Sequence, residues 1–159
     1  MRKLNVRGTI YNYPENGEDR GAWGNEAVDW AEAVTDNLDL IIGANDILQT
    51  SFSIENNIAL DTIIRGLYFN ANNVSAAEVL YSIKRTTDTQ TVSESGVILI
   101  QYEATAPLTE RWKMTQQQNG DAQVVISIDD LGQFYYQSSN LTGTNYSGTM
   151  KFLAKTLST

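Results

Sequence analysis

Nineteen carboxylates are the acid/base groups of the hydrolytic kind in a chain of 159 residues that contains neither histidine nor cysteine. Those two absences exclude Ser-His-Asp and Cys-His catalysis, the usual zinc ligand sets, thiolate nucleophiles and disulfides. Two facing carboxylates could still hydrolyse a glycosidic bond, about 5 Å apart for retention and farther for inversion. Spacing along a β domain does not reveal which two face each other. Asp129 and Asp130 are neighbours, so in a strand their side chains point apart, and at a turn they bind backbone amides. Calcium could draw on Asp19, Asp121, Asp129 or Asp130, but none sits in a recognisable loop motif. The chain is expected to have no enzymatic activity, no metal and no cofactor.

Rings offer a different chemistry, because glycan binders stack sugar faces on exposed aromatics. Tyr135 and Tyr136 are adjacent, so one turns outward from a strand and the other inward. The stretch 137–147 that follows is rich in Asn, Ser and Thr, which supply hydrogen bonds to hydroxyls beside a stacking ring. These two tyrosines are the candidate glycan-binding residues, with a host-surface glycan as the implied partner. Trp112 and Tyr102 stand among apolar strand residues and read as core.

The net charge of -8 argues against nucleic acid as a partner, since that affinity comes largely from neutralising phosphates with Lys and Arg. Apolar runs such as 96–100 are far too short to cross a bilayer, so no membrane contact is expected. Residues 1–10 lack a signal-peptide core, and the chain reads as unprocessed.

Three segments must position these groups. Residues 1–22 form an arm in which Leu4, Val6 and Ile10 alternate with polar residues, a period of two suited to pairing with a sheet edge and so to attachment. Residues 23–43 form one amphipathic helix. Trp23, Ala27, Trp30, Val34 and Ile41 share a face, Leu38 widens the stripe, and Asp29, Glu32, Asp36 and Asp39 line the opposite side. A stripe with apolar flanks at Ala31, Ala33, Leu38 and Leu40 suits a bundle of three or more helices, or packing on the chain's own β domain. Residues 44–159 read as eight strands, at 50–54, 58–69, 78–86, 97–103, 111–116, 123–128, 133–138 and 149–157. Turns are expected at Glu94-Ser95-Gly96, at the hairpin signal Asn119-Gly120-Asp121, and at 129–132. Val79, Tyr81 and Ile83 alternate with Leu80, Ser82 and Lys84, as one buried and one wet face require. The fold class is therefore mainly β, an antiparallel β-sandwich or jelly roll preceded by an arm and a helix.

The closing run GDAQVVISIDDLGQFYYQSSNLTGTNYSGTMKFLAKTL resembles the last strands of small β modules in virion proteins of tailed bacteriophages, of tail-fibre, collar or capsid-decorating type. The corresponding features are an aromatic-containing strand at Trp112, a Gly-Asp-Ala turn at 120–122, a Gly-Gln-aromatic strand at 132–135, a Ser-Gly-Thr turn at 147–149 and a final basic strand at 151–155. The segment WGNEAVDWAEAVTDNLDLI is similar to the helix that follows the arm in such proteins. The resemblance implies a non-enzymatic structural protein located in the virion. The apolar helix flanks favour self-assembly as a homotrimer through Trp23, Ala27, Trp30, Val34, Leu38 and Ile41, and the arm and helix would attach it to another virion protein. A glycan- or receptor-binding module at a fibre tip is the other reading.

Overall fold

Alternation of apolar and polar side chains places one residue in two against a core, and a computed structural model of the chain pairs the resulting strands into antiparallel sheets. It describes residues 2–6, 9–13, 27–28, 31–34 and 43–158. The strands are β1 (Arg2–Val6), β2 (Thr9–Tyr13), β3 (Ile47–Ser53), β4 (Ile58–Tyr68), β5 (Ala76–Thr86), β6 (Thr91–Tyr102), β7 (Trp112–Gly120), β8 (Val124–Ile128), β9 (Gln133–Ser138) and β10 (Ser147–Leu157). The chain divides into two units, Met1–Ala44 and Asn45–Thr159.

In the first unit β1 and β2 pair antiparallel, with Leu4 opposite Tyr11, Val6 opposite Thr9 and Ile10 opposite Asn5. The arm residues Leu4, Val6 and Ile10 therefore belong to two paired strands rather than to one continuous strand. Within the arm, backbone groups on one edge of each strand already have partners. Residues 27–28 and 31–34 are helical.

The second unit is a sandwich. Five strands run in the order β3-β10-β5-β6-β7 and three in the order β4-β9-β8. The chain passes between sheets at β3–β4, β4–β5, β7–β8 and β9–β10; its first and last sandwich strands lie side by side, while β5, β6 and β7 form a meander. Val79, Tyr81, Ile83, Ile98, Ile100, Met150 and Phe152 come inward from the larger sheet, to meet Ile64, Ile126, Phe134 and Tyr136 from the smaller. Phe52 packs edge-on to Tyr136 with centroids 5.6 Å apart, and Phe69 to Phe134 at 6.0 Å; such T-shaped pairs add to the area buried. Trp112 is buried against Tyr102 at 5.1 Å, both in the core region as expected.

Two turn assignments differ from expectation. Asn119-Gly120-Asp121 is not a hairpin: β7 and β8 lie in different sheets, and the segment is the crossing between them. Gly120 has φ +86°, and an added Cβ would overlap the Ser93 carbonyl oxygen, so the glycine answers a close approach as well as a bend. Glu94, Ser95 and Gly96 lie inside β6, opposite Ile83, Ser82 and Tyr81. Their polar character reflects a buried hydrogen-bonding role for Glu94, and the reversal is made at 87–90, where Thr87 N donates to Gln90 O at 2.8 Å.

Tyr81 couples the two halves of that meander. Its hydroxyl donates to Glu94 Oε1 at 2.5 Å and accepts from Gln116 Nε2 at 2.6 Å. Burial, reinforced by the Glu94 hydrogen bond, pushes the phenol well above its ordinary range. Because the folded-state value is raised, the neutral phenol contributes stability that is complete below about pH 10 and is lost as pH climbs further. Tyr81→Phe should therefore melt lower than the parent at neutral pH yet lose less stability between about pH 10 and 11.5. Parallel alkaline slopes in thermal melts of the two proteins would refute this.

Candidate functional site

Tyr135 and Tyr136 part as strand geometry requires. Tyr136 is 1% exposed and its hydroxyl accepts from Glu55 N at 3.2 Å, so it is a core residue with no face for a sugar. Tyr135 lies opposite Ile63 and Ser127 on the outer face of the three-stranded sheet. Its hydroxyl donates to Asp129 Oδ2 at 3.0 Å, a bond that holds the phenol protonated above its usual range. Asp129 Oδ1 accepts from Leu131 N and Gln133 N at 3.0 and 2.8 Å. This is the turn chemistry expected of an aspartate there. Asp121 likewise accepts from Gln123 N at 2.7 Å, while Asp19 lies outside the described residues.

The polar stretch after Tyr136 is carried away from Tyr135 by β9 and is laced instead to the β5–β6 reversal. Thr142 O accepts from Thr87 Oγ1, Thr89 Oγ1 and Gln90 Nε2 at 2.9, 2.9 and 3.0 Å. Asp88 accepts from Thr144 N and Thr144 Oγ1, both at 2.7 Å, and these bonds hold its carboxyl below the ordinary carboxylate range.

That end of the sandwich is organised by a residue that no motif along the chain marks. Arg85 is 0% exposed, a rare placement for arginine. Nε donates to Tyr146 Oη at 3.0 Å; Nη1 donates to Ala122 O and Gln123 O at 2.8 and 3.0 Å; Nη2 donates to Asn56 Oδ1 and Ser139 O at 3.0 and 2.5 Å. All five guanidinium donors are used, and the cation sits 5.6 Å from the Tyr146 ring centroid. The partners come from the β3–β4, β7–β8 and β9–β10 connections. Glu94 completes the arrangement from the neighbouring strand, its Oε2 accepting from Ala122 N at 3.1 Å. Ala122 is thus gripped at its carbonyl by a cation and at its amide by an anion. Strand parity carried the signal: Arg85 continues the buried series 79, 81, 83, and Glu94 shares the parity of Ile98 and Ile100.

Among the described residues of the sandwich unit itself, no strand covers the outer face of the larger sheet. A concavity of about 710 Å³ lies over β5, β6, β7 and β10, lined by Ser82, Lys84, Ser93, Ser95, Thr149 and Lys151 among others. A second of about 590 Å³ lies farther along the same face, near Glu78, Leu99, Lys113 and Lys155. There Lys113 pairs with Glu103 and Lys155 with Asp46.

Of the residues expected at an assembly interface, Ala27 and Val34 are half-buried, while Trp23, Trp30, Leu38 and Ile41 lie outside the described residues. Ala33, on the apolar flank, is buried and Val28 is 54% exposed.

No protein-family model matches the chain, and no curated protein matches it. Among solved structures it is similar to the tailspike protein of the Acinetobacter phage vB_ApiP_P1, with a TM-score of 0.43 and 11% identity, over 70% of this chain and 22% of that one. The chain therefore spans about a fifth of the length of that tailspike.

Proposed function

We propose that the chain is a non-enzymatic structural subunit of a tailed-phage virion, self-associating as a trimer through its helix and attached to a second virion protein by its arm. The observation that carries this reading is the resemblance of the closing strands to phage virion modules. The residues that bear it occupy structural positions: Trp112 opens β7, 120–122 make the sheet crossing, Gly132 precedes β9 and 133–135 open it, and 147–149, expected as a turn, lie with 151–155 inside β10 because they continue its ladder with β5. The division into an N-terminal unit and a sandwich supports it, since one part can attach while the other is displayed. The use of carboxylates supports it too, with Glu94 and Asp129 committed to amide and phenol partners.

Trp30→Ala tests the assembly. Removing a large aromatic from the centre of the stripe should destabilise by about 3 to 5 kcal/mol per buried copy. A trimer of three 17.7 kDa chains should fall to monomer by sedimentation equilibrium, while the sandwich keeps its circular dichroism. A parent that sediments as a monomer at high concentration refutes self-assembly, and a variant that stays trimeric refutes the helix as the interface.

The second reading, a glycan-binding module at a fibre tip, is favoured by the half-buried Tyr135 ring and by the hydroxyl-lined concavity on the opposite sheet. A glycan array with no bound saccharide would dismiss it.

A further inference from the structure

We propose that the concavity over β5, β6, β7 and β10 binds an acidic saccharide, its carboxylate held between Lys84 and Lys151 and its hydroxyls bonded to the serines and threonine beside them. The inference rests on the glycan-binding reading and gives it a location and a ligand charge.

Strand register builds the site. Lys84 stands opposite Thr149 and Ser93, and Lys151 opposite Ser82, which in turn faces Ser95. The lysines are therefore diagonal neighbours on adjacent strands, about 7 to 8 Å apart with their Cβ atoms somewhat closer. Among the described residues neither has a carboxylate partner, unlike Lys113 and Lys155. The two cross-strand rows they occupy, Ser53-Thr149-Lys84-Ser93 and Ser51-Lys151-Ser82-Ser95-Asn119, contain no acid, although the chain carries nineteen. Glu94 borders the concavity, but its carboxylate is bound to Tyr81 and Ala122.

Two cations this close, with no carboxylate partner among the described residues, repel each other, and a carboxylate seated between them removes that repulsion while gaining charge-assisted hydrogen bonds. The hydroxyls define the rest of the ligand. Ser82, Ser93, Ser95 and Thr149 make no side-chain hydrogen bond among the described residues, whereas Thr50, Thr62, Ser75, Thr87 and Thr89 all do. Free donors and acceptors surrounding a single positive focus match a polyhydroxylated ring bearing one carboxylate. A polyphosphate chain would be repelled by the rest of this surface at net charge -8.

Calorimetric titration with galacturonic acid, which bears one carboxylate, and with its methyl ester, on the parent, on Lys84→Gln/Lys151→Gln and on Tyr135→Ala, tests the proposal. Both lysines are exposed, so the double variant should melt like the parent. The acid should bind the parent at millimolar concentration or tighter, and Tyr135→Ala equally. The ester on the parent, and the acid on the double variant, should each bind about tenfold more weakly or worse. Equal binding by the double variant or by the ester overturns the proposal, as does displacement by acetate at the same concentration. Loss in Tyr135→Ala alone overturns this site while leaving a glycan reading centred on Tyr135. No binding of either ligand overturns the acidic-saccharide site, and a neutral glycan captured on an array would then preserve the broader reading.

Discussion

Replacing Arg85 with methionine is expected to destabilise the sandwich by about 3 to 5 kcal/mol, a large part of the total stability of a domain this size. Methionine matches the apolar stem but returns none of the five hydrogen bonds. The carbonyl of fully buried Ala122 is then left without its donor, at about 1 to 3 kcal/mol for one such group. Gln123 and Ser139 are exposed, so their carbonyls can recover water, which limits the loss. Three connections release together, so urea unfolding should show an earlier midpoint and a broader baseline. Arg85→Lys keeps the charge but has no planar fork, and should recover only part of the difference. A methionine variant within about 1 kcal/mol of the parent would refute the role assigned to Arg85.

Gly132→Ala is expected to produce the second large effect, about 3 kcal/mol or more. Gly132 adopts φ +89°, where an L residue is disfavoured by about 1 to 2 kcal/mol, and its added Cβ would overlap the Phe69 carbonyl oxygen. That neighbour is backbone and cannot rotate away. The same glycine accepts from Phe69 N at 3.0 Å and donates to Asp129 O at 3.2 Å, so any shift that relieves the overlap weakens the β8–β9 turn and its tie to β4. The melting temperature should drop by about 8 to 12 °C. Leu131→Ala, one residue away and 68% exposed, should stay within about 0.5 kcal/mol of the parent. Equal melting of the two variants would show that neither the φ angle nor the close approach matters.

Most of the sandwich was legible in the chain. Period-two alternation located all eight strands, and β9 begins and ends where the sequence places it, at Gln133–Ser138. Ends were missed where polar residues continue a ladder: β6 starts at Thr91 and β7 runs to Gly120, because Glu94 pairs with Gly120 and Ser95 with Asn119 across the sheet. Adjacency alone makes Tyr135 and Tyr136 an in-out pair, and the structure buries Tyr136 and leaves Tyr135 half-buried on the outer face. The lysines and serines of the concavity were passed over because none forms a motif along the chain. They meet only across β5, β6 and β10.

Strand content, the buried and wet parities, the turn use of Asp129 and the net charge of -8 can all be read along the chain. Each of these depends on residues two to four apart or on composition. The five-and-three partition of strands, the sheet crossing at Gly120 and the gathering of five oxygen acceptors around Arg85 come instead from long-range packing. Those acceptors lie between 29 and 61 residues from Arg85 along the chain. A buried guanidinium is tolerated only when every donor is met, and no local pattern can signal partners supplied by three separate connections.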